Sequence, residues 1–187
     1  MAAKWPSFRP LPGGSVVTIT PAASSARVRI QTAPFDVAQE IAALQAGDAR
    51  VGAVCTFLGT VRDRNVGAQT GADTPSVLSL ELEHYPGMTE KSIEAMIDAA
   101  HQRFDIFAAC VIHRVGVLLP LDPIVLVVVT SAHRGESFKA CEFLMDYLKT
   151  QAPFWKKELT PEGAQWVDAR VSDDEALARW GIVGRNV

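Results

Sequence analysis

Ile124-Val125-Leu126-Val127-Val128-Val129-Thr130-Ser131-Ala132-His133-Arg134-Gly135-Glu136-Ser137 is the stretch on which the fold turns. Its first six residues are apolar without interruption and mostly β-branched, the composition of a strand. A strand at 124–131 that is apolar on both faces reads as central to its sheet. A helix is predicted over 136–149, ended by Ala152-Pro153-Phe154, because the residue before a proline avoids the helical region.

Working back from there, 106–114 reads as another strand. Pro86-Gly87 turns the chain into a helix from about Thr89, with Ile93, Met96, Ile97, Ala100 and Phe104 at helical spacing. Residues 77–84 alternate, Leu78, Leu80 and Leu82 against Ser79, Glu81 and Glu83, which describes a half-buried strand. Residues 51–62 form a long strand ending in Gly59-Thr60-Val61-Arg62. Before it, Asp36 is the predicted N-cap of a first helix, with Gln39 in the capping-box position, Val37, Ile41 and Leu44 as its stripe and Gly47 as its stop. Residues 15–20 and 27–32 read as short strands.

Strands and helices are mixed without regular βαβ repetition and without internal repeats, so the expected class is α+β, helices packed on one sheet. The expected organisation is a Pro/Gly/Ala/Ser-rich leader over 1–25, a single domain over 26–180 and a tail over 181–187. Residues 63–76 are polar, with Gly67 and Gly71, and read as a loop.

At 187 residues, 48% hydrophobic and 21% charged, the chain has enough core to fold without disulfides or a structural metal. Eighteen Lys+Arg against 21 Asp+Glu leave a net charge of -3, which argues against binding nucleic acid through general electrostatics. The six-residue apolar run is far short of the ~20 residues of a membrane span. Cys55, Cys110 and Cys141 are scattered, odd in number and free of any C-x-x-C spacing; they read as buried thiols of a cytoplasmic protein, each replaceable without abolishing activity. No metal site and no resident cofactor are indicated. One feature escapes the averages. Four of only six lysines, Lys139, Lys149, Lys156 and Lys157, fall within nineteen residues.

The junction Ser131-Ala132-His133-Arg134 lies where a buried strand gives way to a helix, a place where free N–H groups and the helix dipole favour anions. The spacing alone leaves two readings of His133 and Arg134 open, anion ligands or a satisfied strand end beside a solvated cation. Along the following helix, Phe138, Cys141, Met145 and Leu148 form an apolar stripe, and Lys149 projects within ~20° of Phe138. Lys149 then leaves from the buried edge, either as an acid, base or nucleophile or as a snorkelling lysine at a helix C-terminus. Trp155-Lys156-Lys157-Glu158 is either a grip on a phosphate and a flat ring or a loop anchored by one aromatic. Arg62 and Arg114 add cations at strand ends; jointly these groups point to a pocket for a small phosphorylated molecule. Glu81 and Glu83 share a face and read as the wet side of a sheet. No P-loop, G-x-G-x-x-G turn, G-x-S-x-G elbow or H-E-x-x-H pair is present.

Taken in order, several words are familiar. They are Gly52-Ala53-Val54 through Phe57, Gly59 and Val61-Arg62; Leu82-Glu83-His84-Tyr85-Pro86-Gly87-Met88; Ile112-His113-Arg114-Val115-Gly116; Ser131-Ala132-His133-Arg134; and Met145-Asp146-Tyr147-Leu148-Lys149 with Ala152-Pro153-Phe154-Trp155-Lys156-Lys157-Glu158. From about Arg27 to Trp180 the chain resembles the large, catalytic subunit of molybdopterin synthase. The resemblance implies an α+β fold of the α/β-hammerhead kind with a ferredoxin-like core and a mixed, mainly antiparallel sheet. It implies sulfur transfer to cyclic pyranopterin monophosphate from the C-terminal Gly-Gly thiocarboxylate of a small ubiquitin-like partner, forming the dithiolene of molybdopterin. It further implies a homodimer within a heterotetramer.

Carried over by position, Lys149 and Lys156 match the two lysines regarded as catalytic. Thr60, Val61, Arg62, His133, Arg134, Lys157 and Glu158 match substrate-binding segments, and Arg170 a position that reaches the neighbouring subunit's pocket. The implied roles are phosphate and charge stabilisation by Arg62, His133, Arg134 and Arg170, acid–base or transient covalent work by Lys149, and polarisation of the substrate by Lys156.

The chain departs from the family in three places. The segment between Arg62 and Val77 is longer, and Leu121-Asp122-Pro123 stands where a Gly-Asp turn is more usual. The leader has no counterpart, and its Leu11-Pro12-Gly13-Gly14 is a coincidental likeness to the partner's tail. Two other readings share the same residues: a non-catalytic docking module for a ubiquitin-like carrier, against which the intact Arg62, His133, Lys149 and Lys156 speak, and an unrelated phosphoester-processing enzyme, against which the lack of metal ligands and nucleophile speaks.

Overall fold

The computed structural model describes residues 26–63, 76–167 and 179–181. The strand expected at 15–20, most of the loop at 63–76 and all but the first residue of the 181–187 tail lie outside the described residues. In chain order the elements are β1 (Val28–Gln31), α1 (Val37–Gln45), β2 (Ala53–Thr60), β3 (Ser79–His84), α2 (Met88–Arg103), β4 (Ile106–Arg114), β5 (Gly116–Leu118), β6 (Pro123–Ser131), α3 (Arg134–Gln151), β7 (Phe154–Thr160) and β8 (Gly163–Val167).

The class is α+β, as the sequence predicts, but the strands form two sheets rather than one. The first has the order β1-β4-β6-β2 and the second β5-β3-β7-β8. Among the described residues only the β1–β4 pairing is parallel; the others are antiparallel. The valine run of β6 is interior to the first sheet and covered on both faces. Val125, Val127 and Val129 face α2 and α3 together with Ala109 and Val111 of β4. Leu126 and Val128 face the other way with Cys110 and Ile112, under Val37, Ile41 and Leu44 of α1. Period-two alternation thus sends one apolar run into two cores, each fully buried Val or Leu contributing about 1.5–3 kcal/mol.

Local chemistry sets the helix starts. The Asp36 side chain accepts from the Gln39 N–H at 3.1 Å, so the expected cap forms. At α2 the Glu90 carboxylate accepts from the Gly87 N–H at 2.6 Å, with Gly87 at φ +81° to make the turn. The buried Thr89 hydroxyl accepts from the Tyr85 N–H and donates to the Pro153 carbonyl at 3.2 Å, tying the start of α2 to the turn that follows α3.

Two details of the sequence reading are corrected. Phe138 is 59% exposed and is not part of the buried stripe of α3, which consists of Ser137, Ala140, Cys141, Phe143, Leu144 and Leu148. Leu78 precedes β3 and is exposed, while Leu80 and Leu82 are buried as expected.

Candidate active site

Lys149 lies in the last turn of α3, on the flank it shares with Met145 rather than on the buried face. It lines a pocket of about 270 Å³ whose walls come from β2, β4, β6, α3 and β7. Phe57, Ile124, Val125, Met145, Leu148 and Phe154 make most of the wall apolar; Thr60, His113 and Lys149 bring polar side-chain atoms to it. Gly59 belongs to the same wall because nothing larger fits: a Cβ there would lie 2.7 Å from Val125 Cγ1.

The segment expected to be a loop or a phosphate grip, Trp155-Lys156-Lys157-Glu158, is the middle of β7. Alternation puts Phe154, Lys156 and Glu158 on the inner face, where Lys156 pairs opposite the buried Leu82 and Glu158 opposite Leu80. Lys156 Nζ and Glu158 Oε1 form an ion pair at 2.7 Å, with Glu158 only 7% exposed. Lys156 therefore stands two residues along the same strand face from pocket-lining Phe154, about 7 Å away. Lys157 is on the other face. Its ammonium lies 3.6 Å from Glu81 and 5.5 Å from the Trp166 ring centroid, on the side that carries exposed Trp155.

Thr60 ends β2 at the pocket, Val61 is buried with Leu80, Leu82 and Leu118, and Arg62 is exposed just beyond. A turn holds this strand end. The Val61 N–H donates to the Asp122 carbonyl at 3.0 Å and the Leu121 N–H to the Val61 carbonyl at 2.9 Å. Within the turn the Asp122 N–H donates to the Leu119 carbonyl, and Leu121 takes φ +76°, the region that the more usual glycine would occupy without strain.

His133 and Arg134 sit exposed at the N-terminus of α3. Fifteen residues of helix separate Arg134 from Lys149, about 22 Å at 1.5 Å per residue. That is farther than the two side chains can bridge, so one chain does not bring His133 and Arg134 to the Lys149 pocket. Arg170 lies outside the described residues. One chain therefore gathers Thr60 and Lys149, with Lys156, Glu158 and Arg62 adjoining. It leaves Lys157 on the opposite sheet face and His133 and Arg134 at the far helix end.

Sequence reasoning passed over His113, which was visible only as part of a motif. It is 9% exposed and lines the pocket beside Lys149. Of the three cysteines expected to be buried, Cys110 and Cys141 are, whereas Cys55 is only half-buried. Burial, then the neighbouring Cys55 thiol, pushes Cys141 up to about 12, and burial also raises Cys110.

The profile of the MoaE protein family matches residues 30–151, which take in all three helices, the first sheet from Ile30 onward and strands β3 and β5 of the second. The chain belongs to the MoaE protein family. A Ralstonia nicotianae protein named molybdopterin synthase catalytic subunit is 61% identical over 159 residues, which is 85% of this chain and 86% of that one. A Vibrio cholerae protein of the same name is 54% identical over 154 residues, 82% and 97% of the two chains. The solved structure of the molybdopterin biosynthesis MoaE protein from Burkholderia ambifaria superposes with a TM-score of 0.70 at 52% identity, covering 84% of this chain and 99% of that one.

Membership of the MoaE family makes the chain an enzyme of molybdenum cofactor biosynthesis. It also gives the pocket a context. Among the described residues no helix is long and apolar enough to cross a membrane.

Proposed function

We propose that this MoaE-family chain is the catalytic subunit of a molybdopterin synthase. It moves sulfur from the C-terminal thiocarboxylate of a small ubiquitin-like partner to cyclic pyranopterin monophosphate, building the dithiolene and opening the cyclic phosphate. The observation that carries the reading is Lys149 lining a mostly apolar recess of about 270 Å³ with the Lys156–Glu158 pair next to it. A recess of that size sits below the range of ordinary small-molecule pockets and suits a glycine tail, which has no side chains to accommodate.

In this reading Lys149 meets the thiocarboxylate and works as acid, base or transient covalent partner. Lys156, steadied by Glu158, polarises the substrate. Thr60, Val61 and Arg62 form the neighbouring rim, Arg62 serving the phosphate through charge-assisted hydrogen bonds. His133, Arg134 and Arg170 act from a second copy of the chain, in a homodimer at the centre of a heterotetramer, and Lys157 supports binding from the outer sheet face. Residues 26–180 form the catalytic domain, working in the cytoplasm, where its three thiols stay reduced.

The test is direct. The full chain is mixed with cyclic pyranopterin monophosphate and a thiocarboxylated carrier, and molybdopterin is read as its fluorescent oxidation product. Product from the wild type and its loss in Lys149→Ala are expected. A well-folded wild type that makes none, or that releases phosphate without any carrier, overturns the reading.

A further inference from the structure

His113 lines the Lys149 pocket without a part in the chemistry above. It is the penultimate residue of β4, on the face it shares with Val111, and its ring stacks on Phe154 with centroids 3.9 Å apart and planes 19° from parallel. Nδ1 lies 2.8 Å from the Arg114 carbonyl oxygen. A carbonyl only accepts, so in the neutral ring the proton is on Nδ1 and Nε2 is a bare acceptor. The ring is neutral at physiological pH because burial, with a smaller push from His84, draws its pKa down to about 4 against the Arg114 hydrogen bond.

Among the described residues no hydrogen bond to Nε2 is made, and the recess that His113 lines is the Lys149 pocket. An extended peptide entering that recess carries N–H groups past the side chains of Phe57, Ile124, Val125 and Leu148, none of which can accept; the side-chain acceptors on the wall are the Thr60 hydroxyl at the end of β2 and His113 Nε2. Each N–H left unpaired there is costly, so the recess needs an acceptor.

We propose that His113 Nε2 accepts a hydrogen bond from the terminal peptide N–H of the carrier's Gly-Gly tail, and so selects a tail whose last residue is unsubstituted at nitrogen. The assignment rests on the function proposed above and adds a specificity residue to it. Lys149 engages the anionic terminus; His113 engages the peptide group just before it.

The test is a double cycle of binding constants on the full chain. The probes are a ubiquitin-like carrier ending in Gly-Gly carboxylate and the same carrier with its last residue N-methylated. Methylation is expected to weaken binding to the wild type roughly tenfold, the scale of one buried hydrogen bond. His113→Asn keeps a donor for the Arg114 carbonyl but has no acceptor at the Nε2 position. It should bind the normal carrier roughly tenfold more weakly and lose less than twofold more on methylation. His113→Gln, whose amide oxygen reaches the Nε2 position, should keep most of the discrimination.

Equal losses in wild type and His113→Asn overturn the proposal, as does a wild type indifferent to methylation, a result that needs no variant to fold. A change in the KM for cyclic pyranopterin monophosphate at saturating carrier, with carrier binding intact, also overturns it. A wild type that binds no carrier at all sinks the proposed function itself; binding without coupling sinks only the role of His113.

Discussion

Arg134 and Lys149 stand at opposite ends of α3, about 22 Å apart along the helix axis. If both serve one reaction, they do so in different copies of the chain, and mixing two inactive variants must restore activity. One preparation carries Lys149→Ala and the other Arg134→Ala; both positions are exposed, so neither change opens the core. Loss of the lysine is expected to cost roughly 10²- to 10⁴-fold as a missing acid–base group. Loss of the arginine is expected to cost roughly 10- to 150-fold as a missing charge-assisted contact. Subunits re-equilibrated in equal amounts give about half mixed dimers in a two-fold assembly. Each mixed dimer has one site lacking both groups and one site with both intact, because the intact Lys149 comes from one copy and the intact Arg134 from the other. The mixture should therefore recover about a quarter of wild-type sulfur transfer, read as molybdopterin formed per chain. A mixture that performs as the average of its parents, after exchange has been verified with two affinity tags, refutes the shared site.

Three further outcomes are expected. Leu121 holds φ +76° while 85% exposed, so Leu121→Gly relieves about 1–2 kcal/mol of backbone strain against about 0.4–1 kcal/mol of added unfolded-chain entropy; thermal unfolding should move up by about 1–4 °C, and a fall refutes the strain argument. Gly59→Ala forces a Cβ to within 2.7 Å of Val125 Cγ1, so overpacking of about 1–3 kcal/mol should lower the melting temperature by several degrees and reduce carrier binding at the pocket wall; an unchanged melting curve counts against the close approach. His113 is buried neutral with its pKa lowered to about 4, so the unfolded chain binds the proton first: stability is full above about pH 6.5 and falls by about 3 kcal/mol as pH drops toward 4. Urea titrations across that range should show this slope in the wild type and a shallower one in His113→Asn, and parallel slopes refute it.

What the sequence reveals about this fold depends on whether a segment obeys the in–out rule of its own element. β4 and β6 were legible because a sheet covered on both faces needs apolar residues on both, and the run 124–129 has nothing else. β7 was not, because neither face is consistently apolar: Lys156 and Glu158 share the inner face with Phe154, and Lys157 shares the outer face with Trp155 and Leu159. A charged pair at 2.7 Å, with one partner buried, is tolerable there only as a pair, and such local violations gather at working sites. β8 was missed as well; its Trp166 is exposed.

The helical phase that placed Lys149 on the buried edge leaned on Phe138, and both residues proved exposed; Lys149 reaches the pocket from the flank it shares with Met145. His113 carried no such signal. A histidine near the end of an apolar strand is unremarkable until Phe154, 41 residues later, stacks on it and α3 delivers Lys149 to the same recess. Helix α3 marks the limit of reading by motif. Ser131-Ala132-His133-Arg134 and Leu148-Lys149 stand at its two ends, and only the length between them shows that one chain does not bring them together.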